Sequence, residues 1–572
     1  MRKLLSVLLT LCLLGSLLVP FAVAEDQEPI TLTYFYGAPG DQPYPDNKIY
    51  KKIEEEFGIT FEMEFLAGDL DEKLGMMCQD PDDLPDLFDG GNSADKILIS
   101  SGVLINLLDY VNPEDTPNIW AHIEPQKNRI ITKDEDTGED VMYIIPNYGL
   151  GEGDQIVNSV NGPAFFIQKQ VLAWAGYPQI KTLDEYFDLI EAFIAENPTN
   201  ADGTPYIGFD ILTEDWRRFC MINPVQHLMG RPNDGEALVD INSEDYATTT
   251  FINQPYAKPY YKKLNEEFQK GIISPDTFVM TYDQYIAQLS TGIVLGMFDQ
   301  TWDFGDATNA LLTDKKYENT YVALGLIYDE DDVPAEDMPE GWTIEEHYVN
   351  GSLPNLDRGA GISVSCKCPE RIIAMWERML DPDWALTLNW GIEGEDYSIE
   401  DGRLNMTPEQ NANTQDIEWQ RHNKARAIWD SSPKRQGYIM EDIQLGDKVV
   451  TAGNCWEPGN QPEIVFGLMN DYDKEFLSAY GYSKFGDFVN PPIELAPYGE
   501  AWQIDKSPIE KDYNDFLNIQ DTLLPQVIMA PEGEFDAKWD AFVEAINPSC
   551  EVYSNFMHEE ILKLVAAYYG EE

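Results

Sequence analysis

The order of hydrophobic and polar residues near the start of the chain predicts a strand, a helix and a second strand. Residues 32–36 form an aromatic run typical of a β-strand, and a turn rich in glycine and proline follows at 37–45. Apolar residues then recur about every four positions from 49 to 57, which predicts a helix. Residues 59–65 alternate apolar and polar side chains, as a half-buried strand does. Such a unit belongs to a parallel sheet, and its first turn lies at the carboxyl end of that sheet.

The same signals recur along the rest of the chain. Thr182 to Glu185 has the spacing of a capping box, and the residues after it place apolar side chains on one face of a helix. Further strands are predicted at 85–89, 293–298 and 362–364. Strands that alternate with helices in this way predict an α/β fold.

Composition narrows the class of protein. The sequence has 102 acidic and 38 basic residues, a formal net charge of −64. This balance argues against nucleic acid and anionic membranes as partners, because both need a basic surface. The chain is 43% hydrophobic and 12% aromatic, which is enough for packed cores and excludes an acidic disordered tail. Its 572 residues predict two to four domains.

The first 24 residues have the layout of a secretory signal peptide. Arg2 and Lys3 precede a long apolar run, and Ala22-Val23-Ala24 provides the small residues of a cleavage site. An uncleaved membrane anchor is the alternative. Cleavage predicts a mature protein that begins near Glu25 and lies outside the cytoplasm, in an extracellular, cell-surface or periplasmic location. No later segment is apolar enough to span a bilayer.

Cysteines give no metal site. Six lie beyond the predicted signal peptide, and an even number allows disulfides in an oxidising compartment, although scattered buried thiols fit equally well. No cluster of Cys or His has the spacing of a zinc site, so no metal is predicted. The six are Cys78, Cys220, Cys366, Cys368, Cys455 and Cys550.

Four stretches, taken in order, carry a family resemblance. They read NKIYKKIEEEFGITFEMEF, DLPDLFDGGNSADKILISSGVLINLLDYV, FFIQKQVLAWAGYPQIKTLDEYFDLIEAFIAENP and GISVSCKCPERIIAMWERMLDPDWALTLNWGIEGEDYSIEDGRL. In this order the chain resembles extracellular solute-binding proteins of ABC importers, the group that includes maltose-binding and alginate-oligosaccharide-binding proteins, and especially the large lipoprotein-like members from Gram-positive bacteria. Weaker similarity in GIVLGMFDQTW and FDAKWDAFVEAI extends the match over nearly the whole mature chain.

The resemblance implies a two-lobed α/β fold of the periplasmic-binding-protein kind (type II). Each lobe is then a mixed sheet flanked by helices, and hinge crossings join two discontinuous lobes. Carried onto this sequence, the N-terminal lobe takes residues 25–147 and 358–406, and the C-terminal lobe takes 148–357 and 407–572.

The resemblance also implies a function. It predicts a binding protein, not an enzyme, that closes its lobes on an oligosaccharide and delivers it to the membrane permease of an ABC importer. The large negative charge favours a neutral oligosaccharide over an acidic one. We expect a monomer without a cofactor.

A sugar site combines aromatic rings, which cover the C–H faces of the sugar, with short polar side chains that hold its hydroxyl groups. Ligands of open α/β sheets bind at the carboxyl ends of the strands, where the first turn and the loop after 293–298 lie. Strand alternation turns Phe35 toward the core. The predicted ligand-binding residues are Tyr34, Tyr36, Asp41, Tyr44, Asp89, Asn92, Asn147, Tyr148, Asp299, Trp302, Trp456 and Trp502.

The resemblance raises the possibility of a bound calcium ion. Some relatives carry a calcium loop after the helix that corresponds to residues 184–195. Here that place reads ENPTNADGTPYIGFD, which has Asn200 and Asp202 but lacks the ladder of acidic ligands and a terminal glutamate. This departure favours a plain turn over calcium.

Two other classes of function stay open. A secreted glycoside hydrolase or lyase would need two carboxylates about 5–10 Å apart. With 102 acidic residues in the sequence, such a pair cannot be distinguished from the many others. The chain has no G-x-S-x-G, H-E-x-x-H or Walker motif. A binding protein for a peptide or another small solute would share the fold and differ only in its pocket.

Overall fold

The computed structural model describes most of the chain. The described residues are 28–81, 83–91, 93–134, 137–154, 156–231, 235–329, 331–339, 342, 344, 348–350, 353–355, 358–414, 416–493 and 495–570. The predicted signal peptide, residues 1–24, and the predicted site residue Asn92 lie outside these ranges.

Short strands are distributed along the whole described chain. They are β1 Ile30–Tyr36, β2 Ile59–Phe65, β3 Leu87–Asp89, β4 Thr132–Lys133, β5 Asp140–Val141, β6 Gly151–Glu152, β7 Ala164–Gln168, β8 Ile207–Asp210, β9 Ala237–Val239, β10 Thr248–Thr250, β11 Val294–Asp299, β12 Tyr321–Leu324, β13 Tyr348–Asn350, β14 Ala360–Ile362, β15 Ser398–Glu400, β16 Arg403–Asn405, β17 Gln436–Gly437, β18 Ile443–Leu445, β19 Lys448–Val450 and β20 Asn490–Ile493.

Helices separate most of these strands. They are α1 Lys48–Phe57, α2 Leu70–Met77, α3 Pro117–Ile123, α4 Lys127–Ile130, α5 Lys169–Trp174, α6 Leu183–Glu196, α7 Phe219–Ile222, α8 Pro224–Leu228, α9 Lys258–Lys270, α10 Tyr282–Thr291, α11 Gly305–Thr313, α12 Pro369–Met379, α13 Pro382–Asn389, α14 Pro408–Asn413, α15 Ile417–Asn423, α16 Arg426–Ser431, α17 Pro462–Leu468, α18 Asp471–Tyr480, α19 Glu510–Ile528 and α20 Phe535–Tyr569. The predicted strand, helix and strand of the first unit are confirmed as β1, α1 and β2.

The chain divides into two compact units, and each takes two separate segments. Unit 1 comprises Met1–Asp154 and Pro354–Pro458, and unit 2 comprises Gln155–Leu353 and Gly459–Glu572. The predicted division differs mainly at residues 407–458. They were expected in the second lobe but lie in unit 1.

The sheet of unit 1 has the strand order β14–β3–β1–β2, with β1 parallel to β2 and β3. Both faces of the sheet are buried. Phe35 packs with Phe88 in one apolar cluster, whereas Tyr34 and Tyr36 belong to another, as the alternation of side chains along a strand requires. Tyr36 pairs with Asp89 at the ends of two parallel strands, so these residues mark the carboxyl edge of the sheet.

Side chains of β1 and of the turn before α1 explain why residues 407–458 belong to unit 1. The Tyr34 hydroxyl donates to the carbonyl of Ala427 at 3.2 Å and contacts Ser431. The Asn47 amide donates to the carbonyls of Arg421 and Lys424, both at 2.9 Å. The helices α15 and α16 are therefore held against the first strand and helix of the chain by buried polar contacts. A periodicity argument cannot find these contacts, because their partners are far apart in sequence.

The sheet of unit 2 has the order β12–β7–β11–β8, in which β11 is parallel to β8 and antiparallel to β7. The carboxyl ends of β8 and β11 therefore lie at one edge. The helix α6 begins with the predicted capping box of Thr182 and Glu185 and packs on this sheet. A Cβ on Gly296 would lie 1.9 Å from the Tyr186 hydroxyl oxygen, so only glycine lets α6 approach β11 this closely.

A buried ion pair joins the two segments of unit 2. Lys169 Nζ lies 2.6 Å from Asp473 Oδ1, and both side chains are largely buried. The Asn265 amide donates to the carbonyls of Ile528 and Ala530, both at 2.8 Å. These contacts attach the C-terminal helices to the central helices of the unit.

Helix length and cysteine pairing can both be read from the described residues. No helix within the described residues combines the length and the apolar character needed to cross a bilayer. No pair among the described cysteines forms a disulfide.

We expect Tyr34→Phe to destabilise unit 1 by about 1–2 kcal/mol, because it removes a buried hydroxyl and its hydrogen bonds to α16. Urea denaturation of the wild type and the variant measures this difference. Tyr148→Phe is the control, since Tyr148 is 54% exposed and its hydroxyl should contribute little. Equal unfolding free energies for wild type and Tyr34→Phe would contradict the anchoring role of this hydroxyl.

Candidate ligand-binding sites

Two exposed tryptophans stack on each other at the carboxyl edge of the unit 2 sheet. Trp302 follows β11 and is 60% exposed, and Trp216 follows β8 and is 43% exposed. Their ring centroids are 5.6 Å apart and their planes differ by 16°. Phe219 stacks on Trp216 at 5.8 Å and 8°. The rings form a continuous apolar ledge, which we call the aromatic ledge, and its shape suits the C–H faces of a sugar ring.

Arg217 fixes the aromatic ledge from the side. Its guanidinium lies 4.5 Å from the centroid of the Trp216 ring and 3.8 Å from that of Tyr282. Its Nε is 3.0 Å from both carboxylate oxygens of Asp303, whose side chain is almost fully buried. The cation is thus sandwiched between rings and neutralised by a carboxylate, so the ledge is formed before any ligand arrives.

The loop that carries Trp302 is held by its own hydrogen bonds. The indole N–H of Trp302 donates to the side-chain oxygen of Gln300 at 2.9 Å. The Thr301 hydroxyl donates to the carbonyl of Val160 at 3.2 Å. The Tyr282 hydroxyl donates to the carbonyl of Asp303 at 2.6 Å. The polar groups beside the exposed ring therefore have defined positions.

Asp299 lies beneath this loop and not in it. Its side chain is fully buried, and it accepts hydrogen bonds from the Tyr285 hydroxyl and the Gln300 N–H, both at 2.7 Å. Burial raises the pKa of Asp299 to about 7, and the charge of Asp303 adds to the rise. As placed, Asp299 supports the ledge and offers no oxygen to a ligand.

The carboxyl edge of the unit 1 sheet is polar and charged. The Asp89 carboxylate is buried at the end of β3 and accepts the Gly91 N–H at 2.9 Å. Burial raises the pKa of Asp89 to about 6, with a further rise from the charge of Asp430 and an opposing effect from Arg358. Tyr36 donates its hydroxyl to Asp430. These groups make a second candidate site, which we call the charged edge.

Trp429 lies next to Asp430 and is half-buried. Its indole N–H donates to Asn389 at 2.7 Å, and the Lys434 ammonium lies 3.1 Å from its ring centroid. Burial lowers the pKa of Lys434 to about 8. Sequence analysis did not select Trp429 or Trp216. No strand was predicted at 207–210, so the position of Trp216 after β8 gave no signal, and nothing local marks Trp429.

Three aromatic residues predicted to face a ligand are covered by other parts of unit 1. Tyr34 is fully buried beside α16. Tyr44 stacks on His422 at 4.2 Å, and the Arg421 guanidinium lies 4.1 Å from its ring centroid, so both neighbours cover the ring. Trp456 is fully buried under the Arg435 guanidinium, which lies 4.0 Å from its ring centroid. Tyr34 and Trp456 therefore pack inside unit 1 and Tyr44 is half-buried, and the role of these three rings in ligand binding stays a prediction.

The remaining predicted residues fall into two groups. Asn147 is buried, and its backbone N–H donates to the carbonyl of Arg358 at 3.3 Å. Exposed side chains belong to Asp41, Tyr148 and Trp502. Of these, Tyr148 directly follows Asn147 in unit 1, whereas Trp502 belongs to unit 2. The role of Trp502 in ligand binding stays a prediction.

The turn at the possible calcium position is closed by its own amides. The Asn200 side-chain oxygen accepts the N–H groups of Asp202 and Thr204 at 3.0 and 2.9 Å. Within the described residues, no group of three His, Cys, Asp or Glu side chains is placed to hold a metal. This geometry is that of an Asx turn, and the calcium question stays a prediction.

Comparison with known proteins gives a structural likeness only. No family model matches the chain, and no curated protein matches it in sequence. An extracellular solute-binding protein from Bifidobacterium longum subsp. infantis superposes with a TM-score of 0.58 at 13% identity, covering 96% of this chain and 100% of that chain. A human-milk-oligosaccharide (HMO) binding, ABC-transporter-associated solute-binding protein from Bifidobacterium longum infantis gives 0.55 at 14% identity, with 96% and 100% coverage.

A third similar structure comes from Streptococcus pneumoniae. It is an EF-hand mutant of the ABC-transporter substrate-binding protein FusA in complex with fructo-nystose, with a TM-score of 0.54, 17% identity, and coverage of 94% of this chain and 100% of that chain. These likenesses confirm the predicted fold class, the two-lobed α/β fold of solute-binding proteins. The three similar proteins are substrate-binding proteins rather than enzymes.

We expect Asp299→Asn to stabilise unit 2 increasingly as the pH rises from 5 to 8. The pKa of Asp299 is raised to about 7, above its ordinary value of 3.8, so between these two values the unfolded chain has released a proton that the folded unit still holds, and the wild type loses stability as the pH rises toward 7. An amide cannot ionise and can still accept from Gln300. The gain at pH 8 should be on the order of a few kcal/mol at most.

Thermal unfolding of wild type and variant at several pH values measures this gain. Asp276→Asn, which changes an exposed carboxylate of the same unit, is the control and should show no such trend. A difference between wild type and Asp299→Asn that does not change with pH would show that Asp299 is not the group that we infer.

Proposed function

We propose that this chain is an extracytoplasmic solute-binding protein that captures an oligosaccharide for an ABC importer. The observation that carries the proposal is the aromatic ledge, two exposed and parallel tryptophans at the carboxyl edge of a sheet. A contiguous patch of large exposed apolar rings, unlike a single exposed ring, is typical of an interaction or ligand-binding site. A pyranose or furanose ring matches them, because its C–H faces pack on indole while its hydroxyl groups reach the polar loop.

Ion pairing favours a neutral oligosaccharide over an acidic one. Three arginines near the candidate sites each have a carboxylate partner. Arg217 pairs with Asp303 at 3.0 Å, and Arg218 pairs with Asp521 at 3.1 Å. Arg358 lies 3.7 Å from Asp430. A uronate would have to displace one of these partners, and the net charge of −64 would repel it.

Export and assembly complete the proposal. We propose that residues 1–24 direct secretion, that the mature protein acts outside the cytoplasm as a monomer, and that its partner is the membrane permease of the importer. The fold shared with ABC-transporter solute-binding proteins supports this assignment. Binding without chemical change to the sugar distinguishes it from a glycoside hydrolase or lyase.

The proposal predicts that one class of neutral oligosaccharide raises the melting temperature of the secreted protein. A ligand at a hundredfold its dissociation constant should add about 2.7 kcal/mol to stability. A panel of neutral and acidic oligosaccharides, peptides and amino acids tests this by thermal unfolding, and chromatography of the sugar afterwards tests turnover. A shift only with peptides or amino acids, or conversion of the sugar, would contradict the proposal.

Substitutions locate the site. We expect Trp302→Ala and Trp216→Ala each to weaken binding of the selected sugar about tenfold or more, because each removes an aromatic ring that the ligand covers. Isothermal titration calorimetry measures the affinities. Trp174→Ala is the matched control: Trp174 is 39% exposed in the same unit but packs on Phe193, and its loss should leave affinity unchanged. Unchanged affinity in both ledge variants would remove the ledge from the site.

A further inference from the structure

Arg231 of unit 2 is a buried cation that has no ionic partner among the described residues. The residue is 5% exposed, and its Nε has no hydrogen-bond partner within the described part of the chain. No carboxylate of the described residues forms an ion pair with it, in contrast to Arg217 and Arg218, which both have one. The absence is unexpected in a sequence with 102 acidic residues.

The surroundings of Arg231 are built from aromatic side chains. Its guanidinium lies 4.2 Å from the centroid of the Trp342 ring. The indole N–H of Trp342 donates to Asp240 at 3.0 Å, which engages the carboxylate oxygen nearest to that ring. A guanidinium stacked flat on an indole keeps its N–H groups directed outward in its own plane. Of these donors, the Nε–H is buried and has no acceptor among the described residues.

Tyr256 supplies a second unused donor beside the same ring. The centroids of the Tyr256 and Trp342 rings are 6.4 Å apart. Tyr256 is almost fully buried, and its hydroxyl has no hydrogen-bond partner among the described residues. Burial raises the pKa of Tyr256, and the charge of Arg231 opposes the rise.

A buried cation and a buried hydroxyl that both lack acceptors are costly to the folded state, because each loses the water that satisfied it. An oxyanion would satisfy both at once. Its negative charge would neutralise the guanidinium, two of its oxygens would accept a bidentate pair of N–H groups, and a further lone pair would accept the hydroxyl.

We propose that Arg231 and Tyr256 form an oxyanion-binding site in unit 2 that takes a carboxylate or phosphate group. None of its residues belongs to the aromatic ledge or the charged edge. The proposal does not rest on sugar binding, and it holds or fails independently of the proposed function.

The test is thermal unfolding of the full chain in a low-chloride zwitterionic buffer, with sodium phosphate or sodium acetate added and sodium chloride at equal ionic strength as the reference. We expect phosphate or acetate to raise the melting temperature of the wild type above the chloride reference. A response to phosphate alone identifies a phosphate site, and a response to acetate alone identifies a carboxylate site.

Arg231→Met gives a sharper test, because the proposal predicts a reversal. Without oxyanion the variant should melt at or above the wild type, since it lacks the unpaired buried charge. With saturating oxyanion the wild type should melt higher. Tyr256→Phe, which keeps the ring, should weaken the apparent affinity for the oxyanion about tenfold. Arg218→Met, which removes an arginine already paired with Asp521, should keep the full response.

Two results would overturn the site. One is a wild type that responds to phosphate and acetate no more than to chloride. The other is an oxyanion response that persists in both Arg231→Met and Tyr256→Phe, which would place the anion elsewhere. If Arg231→Met does not fold, Tyr256→Phe alone decides between these outcomes.

Discussion

Two tyrosine hydroxyls on the first strand determine how unit 1 is put together. Tyr34 and Tyr36 reach Ser431 and Asp430, residues that lie 397 and 394 positions further along the chain. A buried hydroxyl that lost its partner would destabilise the fold, so the strand and the distant helix α16 depend on each other. The same contact brings Asp430 toward Asp89 and so creates the charged edge. The charged groups of unit 1 therefore lie together because β1 and α16 pack against each other.

Unit 2 reaches a preformed site by a different route. A cation lies between one ring of the aromatic ledge, Trp216, and the half-buried ring of Tyr282, and it is itself held by a buried carboxylate. Side chains that are already ordered lose little conformational freedom when a ligand binds, so more of the contact energy is available as affinity. Asp299 lies under this arrangement and stiffens the loop that bears Trp302. Burying the Asp299 carboxylate destabilises the folded state, but the same residue helps to keep the Trp302 loop rigid.

Periodicity predicted the strands and helices well, and it placed Trp302 at the correct end of β11. It could not show what packs on Tyr34 and Tyr44, because alternation tells which face of the sheet a side chain occupies, not which groups contact that face. The covering groups, Ser431 and His422, come from a segment that was expected in the other lobe. Trp216 escaped notice because β8, the strand that it follows, was not predicted. Contacts between remote segments carry information that a local pattern does not contain.

The long separation between β1 and α16 also sets an order of events in time. A ribosome adds roughly 5–20 residues per second, so β1 waits on the order of tens of seconds for the segment that satisfies it. Until then unit 1 is incomplete, and the hydroxyls of Tyr34 and Tyr36, which the finished fold buries, can bond only to water. For the export that we propose, this delay keeps the leading part of the polypeptide from closing before the rest is made. The order of the segments in the sequence therefore sets the earliest time at which unit 1 can complete its fold.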